Sequence, residues 1–174
     1  MDAEVLMPCK LTILYILDRV DFPLPSIKLT DFMTSSDFAD YFSVMQSLTD
    51  LTEDKFINMT TMSGTVCYKI TGEGGETLSF FIERIPKSVR EKIDRYMKEN
   101  KYRLKNEANI LTDIYPSEHN DYIVRLRVME RGVALVDINL VAATENEAKL
   151  ICSNWKKKSS DIYSNLFTSL ISDD

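Results

Sequence analysis

The chain is poor in several residue types at once: 174 residues include one histidine, one tryptophan, five glycines, five prolines and three cysteines. Each scarcity excludes a class of protein. The lone His119 sits in the polar turn Pro116-Ser117-Glu118-His119-Asn120-Asp121, with no cysteine beside it. A Cys–His nucleophile pair or a histidine-bearing metal cluster therefore has no second member to draw on. No metal, no cofactor and no enzymatic activity are expected. Cys9, Cys67 and Cys152 show no paired spacing and leave one odd, all on apolar segments. That suits core thiols in a reducing cytoplasm. Scarce glycine and proline, with 44% hydrophobic and 28% charged residues, exclude a disordered or fibrous chain. No apolar run approaches the roughly 18 residues that a membrane helix needs. The opening MDAEVLMPCK lacks a basic region followed by a long apolar stretch, so neither a signal peptide nor a membrane association is expected.

What is present is an uneven charge. Residues 1–82 carry 5 basic and 12 acidic side chains, residues 83–105 carry 9 and 4, and residues 106–174 carry 7 and 11. One basic segment joins two acidic halves, and the net charge is −6. A globally acidic protein needs a local cationic patch if it is to meet nucleic acid.

Periodicity orders the first half. Residues 9–20 predict a short, mostly buried helix, ended by Asp21-Phe22-Pro23-Leu24-Pro25 because proline disfavours helix at the residue before it. Ser26 is a candidate cap for a second helix over Ile27–Met33, and Asp37 for a third running to about Thr52. Tyr41, Val44, Leu48 and Leu51 form the inner stripe of that third helix. Phe56–Met62 and Thr65–Ile70 predict two strands turning at Ser63-Gly64, and Thr71 is a candidate cap for a helix reaching about Arg84. Gly72, Gly74 and Gly75 lack the Lys-Ser/Thr of a phosphate loop and suit a helix start. Helix, helix, helix, strand, strand is the order of a winged helix-turn-helix, which often has a further strand where Leu24-Pro25 stands.

Pro86 suits the first turn of a long helix to about Leu104. Val89, Ile93, Tyr96, Met97, Asn100 and Leu104 trace one face of it, and Lys87, Arg90, Asp94, Lys98, Lys101 and Lys105 trace another. The period then drops to two. Ala108–Ile114, Tyr122–Val128 and Ala134–Leu140 alternate, with turns at Tyr115–Asp121 and Glu130–Gly132. Thr144 with Glu147 forms a capping-box pair opening a last helix, whose expected buried stripe is Ala148, Ile151, Trp155, Ile162, Leu166 and Leu170. Arg125 and Arg127 alternate outward opposite Asp137 and Asn139, an arrangement suited to cross-strand ion pairing. The expected fold is α+β: a winged helix over 1–84, a basic linking helix over 85–105, and a three-stranded antiparallel sheet plus helix (βββα) over 106–174.

The segments ILYILDRVDFPL (13–24), YFSVMQSLTDL (41–51), YKITGEGGETLSFFIERIPKSVREKID (68–94) and ICSNWKKKSSDIYSNL (151–166) resemble a bacterial domain-of-unknown-function family. Its members are about this long, look like winged-helix proteins and are often presumed transcription regulators. LTDLTEDKFI (48–57) and YKITGEGGETL (68–78) are also similar to winged-helix regulators of the MarR and PadR type. Thr71 and Gly74 match the pattern that follows the wing there, while Gly72 and Glu73 replace its acid and base.

Three readings follow. In the first, the chain is a cytoplasmic, homodimeric DNA-binding regulator. Ser43, Gln46 and Thr49 then address base edges, with Gln46 suited to adenine, and Lys87, Arg90, Lys98 and Lys101 address phosphates. No Lys or Arg lies between Lys28 and Lys55, and the turn Thr61–Thr65 is uncharged. In the second, the same module binds a protein partner, and no DNA, through exposed Phe42 and Met45. In the third, the βββα unit senses an effector.

Overall fold

In the computed structural model, which describes residues 3–171, the chain divides into two compact units, residues 1–105 and 106–174. The architecture is mixed α+β, with six α-helices and two three-stranded antiparallel sheets among the described residues.

The first unit begins with α1 (Ala3–Asp18), which starts before the expected Cys9 and carries Pro8 inside it. Leu6 is buried like Leu14, Ile16 and Leu17, so burial outweighs the hydrogen bond that the proline forgoes. The two-residue strand β1 (Leu24–Pro25) leads directly into α2 (Ser26–Ser35). Pro25 therefore occupies the cap position, and Ser26, the expected cap, is the first helical residue. Asp37 does not cap α3 (Tyr41–Glu53) either. It takes a left-handed turn at φ 57 after α2, a conformation Asp tolerates. Asp40 caps instead, its carboxylate accepting from the Ser43 amide at 3.0 Å. Tyr41, the first residue of that helix, is exposed and leaves the inner stripe, while Val44, Leu48 and Leu51 are buried.

Strands β2 (Ile57–Met62) and β3 (Thr65–Ile70) form a hairpin closed by Ser63 and Gly64, both at positive φ, the two-residue turn that matches strand twist. β1 adds to the other side of β3, giving the order β1-β3-β2. Thr71 caps α4 (Gly72–Phe81) by accepting from the Gly74 amide at 3.0 Å. Its own hydroxyl faces the Lys55 and Phe56 carbonyls at 2.8 and 3.0 Å. Gly74 is required there, since a Cβ would fall 2.1 Å from the Phe56 carbonyl oxygen. One turn of 3-10 helix, Ile82–Arg84, precedes α5 (Lys87–Asn109). The Pro86 carbonyl accepts the first bonds of α5, from Val89 and Arg90.

Ile93, Met97 and Leu104 bury the apolar face of α5, and Tyr96 stacks on Phe32 of α2 at 3.9 Å between centroids. α5 runs to Asn109, although Ala108 was expected to open a strand. Ala108 lies four residues after Leu104 and two before Ile110, so it fits both periods, and the helix claims it.

The second unit is a meander, β4 (Ile110–Pro116), β5 (Tyr122–Glu130) and β6 (Val133–Ala142), followed by α6 (Glu145–Ile171). Thr144 accepts from the Glu147 amide at 3.2 Å, while the Glu147 carboxylate reaches past the cap residue to the Ala143 amide at 2.8 Å. Val124, Leu126, Val136, Ala142, Ala148 and Trp155 make the core. The Trp155 indole also donates to the Arg127 carbonyl at 3.3 Å. The expected buried stripe of α6 holds only in its first half. Ile162, Leu166 and Leu170 are exposed, and from Ser164 to Ile171 no residue is even half-buried.

Candidate nucleic-acid interface

The side chains expected to read bases all project from α3, and each is engaged by its own helix. The Asp40 carboxylate that caps α3 also accepts from the Ser43 hydroxyl at 2.6 Å. Those bonds hold the Asp40 carboxyl below the ordinary carboxylate range. The Gln46 amide donates to Asp50 at 2.7 Å, and the Thr49 hydroxyl donates back to the Met45 carbonyl at 3.1 Å. Asp50 is also paired with Lys10 of α1 at 2.7 Å. The Lys10 hydrogen bond, then that of Gln46, holds its carboxyl low. Lys10 thus brings to this edge a cation that the sequence from Lys28 to Lys55 lacks, and Asp50 occupies it.

Exposure on α3 differs from the expectation in a consistent way. Gln46 and Thr49 are exposed, whereas Ser43, Met45 and Asp50 are half-buried. Phe42 is 76% exposed and meets Tyr41 edge to face at 5.8 Å between centroids. The outward apolar pair is therefore Tyr41 and Phe42, and Met45 turns partly inward. The hairpin beside α3 is exposed over Asn58–Thr61, and no charged residue lies between Lys55 and Lys69.

The cationic stripe of α5 is largely spent on acids. Lys87 lies 3.8 Å from Glu91, and Arg90 faces both Glu83 oxygens at 3.3 Å. Lys101 and Lys105 reach Asp21 at 3.8 and 3.6 Å. Asp94, counted within the stripe, accepts from Tyr15 and from Arg19 at 2.9 Å, which ties α5 to α1. Lys92 donates to the Ser36 carbonyl at 3.0 Å. Lys98 is exposed and pairs with no acid among the described residues. Arg95, three residues before it and next to Asp94 of the stripe, is exposed as well and was not among the expected phosphate contacts. The residues brought together as available cations are Arg95 and Lys98.

In the second unit, Arg125 donates to Asp137 at 2.9 Å and Arg127 to Asp113 at 2.6 Å. The aligned partner of Asp137 is Arg127, so the first bridge is diagonal, within reach of a long side chain. That hydrogen bond and charge raise the Arg125 pKa further. Both guanidiniums of the outer sheet face are thus held by carboxylates. Cys9 and Cys67 are buried, and burial raises both thiol pKa values, so neither is poised as a nucleophile. No helix among the described residues is long and apolar enough to cross a membrane.

Over residues 9–170 the chain matches the family model described as Domain of unknown function (DUF4364). It belongs to that family. No match to it was found among curated proteins or among solved structures.

Proposed function

We propose that the first unit is a winged helix and that the chain is a DNA-binding transcription regulator acting as a homodimer. The observation that carries this reading is the topology. Three helices precede a β2–β3 hairpin, a short β1 pairs with β3, and the sheet order is β1-β3-β2. In that arrangement α3 is the reading helix and the hairpin is the wing. The exposed edge of α3 offers Gln46 and Thr49 to base edges, once Gln46 exchanges Asp50 for an adenine. Arg95 and Lys98 supply phosphate contacts, together with Lys87, Arg90 and Lys101 if their exposed acid partners give way. Surface ion pairs of that kind cost little to open. One such head is electrostatically weak, so two heads on a two-fold site are needed for useful affinity.

The test is retention of genomic DNA fragments as a function of salt. Binding at about 50 mM salt should fall with a log–log slope near −4, about four phosphates for two heads. Arg95→Glu with Lys98→Glu should flatten that slope, and Gln46→Ala should relax sequence preference while leaving the slope alone. Absence of retention at about 50 mM salt would overturn the reading.

A second reading is favoured by one observation, the outward Tyr41–Phe42 pair on the first turn of α3. Exposed neighbouring aromatics beside an uncharged hairpin suit a protein partner better than phosphates. On this reading the chain retains no DNA at about 50 mM salt, and Phe42→Ser with Met45→Ser should abolish recovery of the protein partner.

A further inference from the structure

The second half of α6 carries an apolar stripe that the sheet of its own unit leaves bare. Ile162, Leu166 and Leu170 continue, at spacings of four, the face that Ala148, Trp155 and Ser159 bury, and Phe167 and Ile171 flank them. Phe167 is 53% and Leu170 is 77% exposed. A helix face that is apolar at this period and has no cover is half of an interface.

We infer that this stripe pairs with the same stripe of a second copy, the two α6 helices running antiparallel across a two-fold axis near Leu166. Charge selects the occupant and the direction. Lys156, Lys157 and Lys158 precede the stripe, and Asp173 and Asp174, which lie outside the described residues, follow it in sequence. An antiparallel pair brings the lysines of each copy to the aspartates of the other at both ends. A parallel pair sets lysine against lysine and aspartate against aspartate. A two-fold contact uses one patch twice and must be complementary to itself, and this one is. The area is sufficient as well. Five large side chains exposed to this degree amount to roughly 500 Å² per copy, so roughly 1,000 Å² for the pair, the threshold of a specific interface. The inference rests on the homodimer part of the proposed function and names its surface. It does not involve α3, so each can fail alone.

The test is the mass of the full chain in solution without DNA, by sedimentation or light scattering. At about 100 µM the wild type should show about twice 20.0 kDa. Leu166→Glu with Leu170→Glu should halve that mass while the Trp155 fluorescence of the core stays unchanged. Reversing the lysines (Lys156→Glu, Lys157→Glu, Lys158→Glu) should prevent association, and so should Asp173→Lys with Asp174→Lys. Mixing those two variants should restore it, because both ends of the mixed pair attract. A wild type of single mass at that concentration overturns the inference. So does a doubled mass that survives L166E/L170E, which moves the interface to another surface such as the β6 edge. A lysine-reversed variant that associates as the wild type does overturns the antiparallel direction.

Discussion

The two long helices invite comparison. α5 and α6 are both amphipathic, with apolar residues at helical spacing along their whole length. α5 is covered throughout: Ile93, Met97, Leu104 and Ala108 are buried, Tyr96 stacks on Phe32, and Asp94 is gripped by Tyr15 and Arg19. α6 is covered only as far as the sheet reaches. Trp155 and Ser159 are buried, Tyr163 is half-buried, and the eight residues after it are exposed. Leu140 of β6, on the face that α6 packs against, is also 42% exposed, because the helix leans more on β4 and β5. A periodic apolar stripe states that a face is to be covered; it does not state by which chain.

Mutations can sharpen or break that contrast. Trp155 lies on the covered half of α6, and Trp155→Ala should lower the stability of the second unit by about 3–5 kcal/mol in denaturant unfolding. In α5, Ile93→Ala removes a fully buried side chain and should cost about 2–4 kcal/mol by the same measurement. A loss under about 0.5 kcal/mol there would mean that α5 is less firmly seated than its burial implies. The charged seam of α5 should show in acid. The Asp21 carboxyl is held below its ordinary value by a backbone hydrogen bond and by Lys101 and Lys105. A depressed carboxylate contributes stability that is present above its unfolded pKa, about 3.9, and is lost as pH falls through the lower folded value. Asp21→Asn should therefore make acid unfolding less steep below about pH 4 and should also lower stability slightly at pH 7. The smallest effect belongs to Leu170→Ala, which should change the stability of dilute protein by less than about 0.5 kcal/mol.

Much of this fold is legible in the sequence, and the exceptions have physical causes. The hairpin is legible because Ser63-Gly64 fits a two-residue turn between two strand-forming runs. The capping pair Thr144 and Glu147 opens α6 as its spacing implies. The start of α3 was not legible, since Asp37 and Asp40 both suit a cap and only the left-handed turn at Asp37 decides between them. The cationic stripe was legible as spacing, but its acid partners Glu83, Glu91 and Asp21 lie off it. A one-dimensional stripe counts charges without counting what neutralises them. In the same way Gln46 counts as a free base-reading amide until its pairing with Asp50, one helical turn on, is included.

The contrast between the two helices can be measured directly by amide hydrogen exchange at protein concentrations from about 1 to about 200 µM, a range that spans weak self-association. Protection along α5 should be the same at every concentration, because its cover comes from its own chain. Protection over residues 162–171 should rise with concentration, as mass action supplies the second copy. Equal protection of residues 162–171 at both ends of the range would contradict the account.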